Sequence, residues 1–419
     1  MNIKNPFKKF WRLLLAVGPG IFAIGYTIGT GSVTSMITTG SIYGTQLLWV
    51  ILLSAFFAWA LMESYGRLAV VTGRTAINCF KTEFKFGKLL AILVIIGIVL
   101  GQWSALSGIL GLTSNLIYEV VRIFIPTLKE NNYWAILGIA IIIIIIMYGI
   151  LWGGKYSLFE KILIVMVTIM GLSFIVSMFI VLPPIEDIAT GLIPRIPAGG
   201  NLLVAALVGT TLAAPTFVVR PLTIKEKGWD NTSFLKNQKI DALISAIGIF
   251  LISASIMIAA TGALFNEGKS VTKVLDMVYA LEPAAGEFAV GLFMVGTMGA
   301  GLSSIFPILM VLPLLVGDYK NGKMGTRTTN FRVLTAIGCL IGLIVPIFGM
   351  NPIMAQIATQ VVNVFVLPLV ITLIIILVNR KAFMKGFTPS IFLNFALSVA
   401  LVFSLFISYT GILGIKELF

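Results

Sequence analysis

Apolar runs of about twenty residues, parted by short polar stretches, recur along this chain from residue 10 to residue 414. A helix rising 1.5 Å per residue needs about that length to cross a hydrocarbon core of roughly 30 Å. The pattern predicts approximately eleven spans, near 10–36, 44–70, 88–113, 130–152, 156–182, 201–224, 238–264, 284–317, 330–350, 353–379 and 389–414. Two of them are interrupted. Gly25-Tyr26-Thr27-Ile28-Gly29-Thr30-Gly31-Ser32 sets glycines and hydroxyls in the middle of the first, where each glycine costs a helix about 1 kcal/mol relative to alanine. Gly209-Thr210-Thr211-Leu212-Ala213-Ala214-Pro215-Thr216 interrupts the sixth, and a proline there removes a backbone donor and breaks or kinks the helix.

Unpaired backbone groups are costly in hydrocarbon, so irregular backbone persists only where it lines a cavity or is buried in protein. The first interruption alone reads equally as a small-residue packing seam. Its pairing with a second interruption five spans later favours a binding site, because broken helices at matching positions of two halves mark inverted-repeat secondary transporters.

Charge fixes an expected orientation. Basic residues gather at Lys4, Lys8, Lys9 and Arg12, at Arg74, Lys81, Lys85 and Lys88, at Lys225, Lys227, Lys236 and Lys239, from Lys320 to Arg332, and at Arg380, Lys381 and Lys385. The alternate loops carry Glu186, Asp187, Glu267 and Glu282, or little charge. By the positive-inside rule the N-terminus is expected in the cytoplasm and, with an odd number of spans, the C-terminus outside. A prokaryotic plasma membrane is the expected location.

Composition agrees and narrows the chemistry. Of 419 residues 58% are hydrophobic and 11% charged, against roughly 25% charged in soluble domains. No cleavable signal pattern precedes the first run; Asn2 to Lys9 reads as a short basic head. The net charge of +13 invites a nucleic-acid partner, but its residues sit in interhelical loops, so orientation explains it better. Histidine is absent and the two cysteines, Cys79 and Cys339, lie far apart. The commonest metal ligand and the usual near-neutral proton relay are therefore missing, and so is a disulfide scaffold. Nothing calls for a cofactor.

Specific stretches resemble the natural resistance-associated macrophage protein (NRAMP) family. Gly18-Pro-Gly-Ile-Phe-Ala-Ile-Gly-Tyr26 and Tyr43-Gly-Thr-Gln-Leu-Leu-Trp49 are similar to its first two spans. Ala69-Val-Val-Thr-Gly73, Gly301-Leu-Ser-Ser304 and Ala358-Thr-Gln-Val-Val362 continue the match in order over roughly residues 10–380. The resemblance implies an all-α polytopic protein with the leucine-transporter fold: two inverted five-helix repeats, approximately 10–182 and 201–379, and an extra helix near 389–414. It also implies a single transporter domain and, by the family's habit, divalent transition metals moved with protons. Gln360 falls on a binding-site glutamine of the family. Elsewhere the chain departs. The family's Asp-Pro-Gly-Asn reads Gly29-Thr30-Gly31-Ser32 here, its Met-Pro-His reads Ala213-Ala214-Pro215, and its proton-route carboxylates fall on Gln102 and Ala105.

Transition metals favour imidazole, thiolate, thioether and carboxylate ligands, and magnesium wants carboxylates and tightly held waters. Neither set is present at the breaks, and a dication without compensating charge is costly to bury. What remains is hydroxyls and backbone donors: Thr27, Ile28, Gly29, Thr30, Gly31 and Ser32, with Thr34 and Ser35 beyond them, face Thr210, Thr211, Ala213, Ala214, Pro215 and Thr216. Helix N-termini and hydroxyl donors suit anions. The expected cargo is a small inorganic anion such as bicarbonate, symported with sodium or protons. The alternative is a divalent cation, manganese or magnesium, at a weakened site, and a further one is a transport-inactive scaffold or sensor.

Four other features admit two readings each. Arg220 either attracts an anion at the inner mouth or snorkels to the interface. Glu63 and Arg67, spaced i, i+4 on one helix face, form a structural clamp or a proton route. Asp241, at an acidic position of the family, is structural or gating. In the leucine-transporter architecture the stretch with Ser303 and Ser304 packs beside the broken first helix and can hold sodium; small-residue packing beside Gly301 is the alternative. A membrane-embedded enzyme lacks the residues it needs, and paired broken helices favour alternating access over a channel.

Overall fold

The computed structural model describes residues 19–125, 127–129, 132–153, 156–320 and 328–417, and it describes no side chains for 19–22, 153 and 156–167. The basic N-terminal head, the first nine residues expected in span one and most of the loop from Lys320 to Arg332 lie outside that description.

In chain order, α1 (Pro19–Thr27) and α2 (Thr30–Tyr43) make the broken first span, followed by α3 (Leu48–Thr72), the short α4 (Ala76–Glu83), α5 (Gly87–Phe124), α6 (Tyr133–Gly153), α7 (Tyr156–Ile180) and the short α8 (Ile185–Gly191). The broken sixth span is α9 (Asn201–Thr211), α10 (Ala214–Val218) and α11 (Arg220–Glu226). Then come α12 (Leu235–Ala263), a connection containing α13 (Glu282–Ala285), α14 (Ala289–Tyr319), α15 (Thr329–Gly342) with α16 (Ile344–Phe348), α17 (Pro352–Val361), α18 (Leu367–Asn379) and α19 (Ile391–Lys416). Each expected span has its helix. Among the described residues nine helical stretches are long and apolar enough to cross a membrane; the first span falls short because it is broken and the fifth because part of it is undescribed.

Burial separates lipid-facing from packed helices. On α6, Ile142, Ile145 and Ile146 are exposed, as are Val402, Leu405, Phe406 and Tyr409 on α19; exposed apolar side chains of this kind suit hydrocarbon rather than water. By contrast α2, α9 and the middle of α5 are buried almost throughout. The interrupted helices thus form the centre of the bundle, where their irregular backbone is shielded from lipid.

The tenth span departs from expectation by being divided. Between α17 and α18 the chain tightens into a 3-10 turn over Val362–Val366. Pro368 explains the division: it has no N–H to give the Val364 carbonyl four residues back. Ser408 of α19 donates to that carbonyl instead, at 3.2 Å.

Candidate functional site

The first break is one extended residue wide. The Ile28 N–H still bonds the Ile24 carbonyl at 2.9 Å, and the next helix opens with the Val33 N–H on the Gly29 carbonyl at 3.1 Å. Gly29 between them is extended, φ −107° and ψ −173°. The amides of Thr30, Gly31 and Ser32 therefore precede the first intrahelical bond of α2 and are its orphan donors. The Ser32 hydroxyl turns back and donates to the Thr27 carbonyl, satisfying an acceptor that the break releases. Close packing explains the two glycines: a β-carbon at Gly29 would lie 2.6 Å from Ser304 Oγ, and one at Gly31 would lie 2.8 Å from Gln360 Cδ. The glycines form a packing seam, and the contacts that require glycine also bring Ser304 and Gln360 to the break.

The sixth-span break comes earlier than the proline suggests. Helix α9 closes with the Leu212 N–H on the Val208 carbonyl at 2.7 Å, and Ala213 is extended at φ −65° and ψ 121°. Pro215 sits in the first turn of α10, where its missing N–H has no intrahelical partner to lose. Proline restarts the helix rather than ending it, and Leu212 and Ala213 make the gap. Gly209 lets α9 approach α17 so closely that a β-carbon there would overlap the Gln360 carbonyl oxygen.

Between the breaks lies a cavity of about 40 Å³, lined by Tyr26, Thr27, Gly29, Gly31 and Ser32 on one side and by Gly209, Thr210 and Ala213 on the other, and closed by Gln102, Ala105, Ile109, Ser304, Ile308, Gln360 and Asn363. A cavity needs about 10–15 Å³ in this measure for one water, so the chamber has room for about three water-sized groups. No lining residue is acidic, basic or sulfur-bearing. Among the described residues no three of His, Cys, Asp and Glu gather as a metal cluster.

One wall is a chain of hydrogen bonds through neutral side chains. The Tyr26 hydroxyl donates to Gln102 Oε1, Gln102 Nε2 donates to Asn363 Oδ1 at 2.8 Å, and Asn363 Nδ2 donates to Gln360 Oε1 at 3.2 Å. Every donor points the same way, so Gln360 Oε1 accepts one hydrogen bond and keeps a second lone pair, while its amide nitrogen, the end held against Gly31, remains to donate. The 3-10 turn after α17 carries Asn363, and without that division the side chain would take a different face. Sequence reasoning did not single out Tyr26, Ile109, Gly209, Ile308 or Asn363 as site residues. The polarity of Asn363 within an apolar span was the available signal.

Of the residues expected to bind substrate, Thr27, Gly29, Gly31, Ser32, Thr210, Ala213 and Gln360 line the cavity, whereas Ile28, Thr30, Thr211, Ala214, Pro215 and Thr216 do not. Ile28 belongs to the apolar core. The hydroxyls of Thr27, Thr30, Thr211 and Thr216 are buried with no partner among the described residues. Ser304 lines the cavity and Ser303 does not, and both donate to the Ala300 carbonyl, at 2.8 and 3.1 Å.

The charged candidates lie off the cavity. Arg220 does not snorkel: it is 2% exposed, and its Nη2 holds Asp241 Oδ2 at 2.7 Å. Arg220 opens α11, with Pro221 in its first turn, and its buried guanidinium packs against α12, where the Asp241 carboxylate compensates it. Glu63 and Arg67 form a buried pair on α3, with Arg67 Nη1 also donating to the carbonyls of Phe387 and Thr388 at 3.2 Å each. Gln238 joins the two pairs, its Nε2 donating to the Glu63 carbonyl at 3.2 Å while Arg220 reaches its own carbonyl at 3.5 Å. This is the geometry of a clamp between α3, α11 and α12.

Comparison with known proteins gives this architecture a family. A curated relative, the divalent metal cation transporter MntH of Caldanaerobacter subterraneus subsp. tengcongensis, is 24% identical over 91% of this chain and 88% of its own. The transporter of the same name from Listeria welshimeri is 26% identical over 82% and 77%. Among solved structures, an Eremococcus coleocola manganese transporter in complex with an aromatic bis-isothiourea substituted compound superposes with a TM-score of 0.72 at 15% identity, over 97% of this chain and 87% of that one. MhsT in complex with L-phenylalanine does so at 0.64 and 15%, over 94% and 98%. These likenesses establish the leucine-transporter fold, as the resemblance implied. The relatives' names speak for the divalent-metal alternative rather than for bicarbonate. The family model of natural resistance-associated macrophage protein-like chains matches residues 20–414, and the protein is a membrane transporter belonging to that family.

Proposed function

We propose that this protein is an alternating-access secondary carrier of a small inorganic anion of the size and hydrogen-bonding character of bicarbonate. One observation carries the reading: the chamber between the breaks holds no carboxylate, imidazole, thiol or thioether, and its polar wall ends in the Gln360 amide donor. The orphan amides at the start of α2, against which the Gln360 amide packs, and the unpartnered Thr27 hydroxyl add donors, and the positive end of the helix dipole points the same way. A dication there would meet neutral oxygens alone and no compensating charge, which is costly in a water-poor site.

The repeats approximately 10–182 and 201–379 would rock about this chamber, with 389–414 outside them. For coupling, Ser304 is the candidate: its hydroxyl oxygen sits at Gly29, and Pro307 brings no N–H to the nearby Ser303 carbonyl. Such an oxygen-only corner suits sodium.

The second reading is a divalent cation, manganese or magnesium, and the names of the relatives favour it. Uptake of labelled bicarbonate and of manganese into proteoliposomes separates the two. Saturable bicarbonate uptake without manganese uptake supports the proposal. Manganese or magnesium uptake with no response to bicarbonate overturns it, and no flux of any of them leaves the scaffold reading.

A further inference from the structure

A second cavity, of about 620 Å³, lies farther along the same two helices. Gly111, Asn115, Glu119 and Arg122 of α5 line it, together with Asn351 and Pro352 at the start of α17. The central chamber takes Ala105 and Ile109 from α5 and Gln360 from the other end of α17. Eight residues separate Pro352 from Gln360, about 12 Å of helix rise. Between them on α17 stands Gln356, fully buried, with neither its Nε2 nor its Oε1 bonded to any described residue.

Its surroundings are close on both sides. A β-carbon at Gly31 would lie 2.9 Å from Gln356 Nε2, and one at Gly108 would lie 3.0 Å from Gln356 Oε1. The amide is thus squeezed between the broken first span and α5, at a buried polar step on α17 between the two cavities, where its neighbour Thr359 already donates to the Gln356 carbonyl at 3.0 Å. A buried amide with both ends unpaired loses several kilocalories of hydration per mole, and an apolar side chain of the same shape would avoid that loss.

We propose that Gln356 is a transient ion-contact site at the gate between the two cavities. In the arrangement seen here α2 and α5 pack against the amide and give it no hydrogen-bond partner among the described residues. When α2 moves away, the amide is wetted and offers a donor and an acceptor to the ion passing from the larger cavity to the Gln360 chamber. The inference rests on the carrier reading and not on the sign of the cargo's charge, since an amide serves either.

Labelling and stability together test it. The purified protein in lipid nanodiscs is treated with a small polar methanethiosulfonate, with the wild type, whose cysteines Cys79 and Cys339 are both buried, as blank. Gln356→Cys reacts over minutes, whereas Ile357→Cys, its core-facing neighbour, does not. Gln356→Leu melts no lower than the wild type, yet takes up labelled bicarbonate or manganese, whichever the wild type carries, about tenfold more slowly, the worth of one lost polar contact. Absence of reaction at Gln356→Cys, equal reaction at Ile357→Cys, or full flux in Gln356→Leu each overturns the proposal. The labelling arm reports on the gate even where both ions of the flux assay fail, so failure of the gate and of the anion reading remain distinct.

Discussion

Gly31 on α2 and Gln360 on α17 touch so closely that a β-carbon at residue 31 would overlap the Gln360 amide nitrogen. That contact sets the donor end of the amide chain over the orphan backbone amides of the first break. The nearest atom a β-carbon at residue 31 would meet is the end of the Gln360 side chain rather than backbone, so Gly31→Ala should leave folding intact while displacing the Gln360 amide. Uptake in proteoliposomes is expected to fall about tenfold, the equivalent of one contact worth ~1.4 kcal/mol, with an unchanged size-exclusion profile.

Asn363 is the pivot of that chain, accepting from Gln102 and donating to Gln360. In Asn363→Asp the new carboxylate accepts only, reverses the hydrogen bond to Gln360 and places negative charge beside the cargo. Uptake of labelled bicarbonate at a fixed mildly alkaline pH should therefore fall about tenfold or more in Asn363→Asp, the worth of at least one lost contact, with an unchanged size-exclusion profile.

The Arg220–Asp241 pair is buried on both sides, at 1% and 2% side-chain exposure. Removing one member strands the other, which costs about 3–5 kcal/mol, while replacing both with apolar residues of similar volume is near neutral or stabilising. Asp241→Asn should lower the melting temperature of the detergent-purified protein sharply, and Arg220→Met with Asp241→Leu should restore most of it. A clamp behaves this way; a gate essential to transport would leave the double variant stable and inactive.

Cys79, on the short α4 outside the spans, is fully buried, and that burial pushes its thiol up to about 12 despite the opposing pull of Arg74. The thiolate is the reactive form, so at pH 8 maleimide should modify Cys79 about a thousandfold more slowly than a free cysteine. Mass spectrometry before and after unfolding checks this.

The sequence revealed the architecture because each of its signals was local. Apolar length located the helices, and the glycines of Gly29-Thr30-Gly31 with Pro215 located both interruptions to within a few residues. Pro215 misplaced the second break slightly, since proline is as much at home in the first turn of a new helix as at the end of an old one. The wall of the site was less visible. Tyr26, Gln102 and Asn363 are distant in the chain and meet only because α1, α5 and the tightened turn after α17 converge. Arg220 looked like an interfacial residue because its partner, Asp241, belongs to another helix. Pairings of that kind depend on tertiary packing, which no periodicity records.

Isothermal titration of the purified protein, with bicarbonate in one series and manganese in the other, measures most directly which sign of charge the chamber accepts. The account predicts saturable heat from bicarbonate that disappears in Gln360→Leu, and none from manganese. Saturable manganese binding that disappears in Gln360→Leu, with bicarbonate silent, would contradict it.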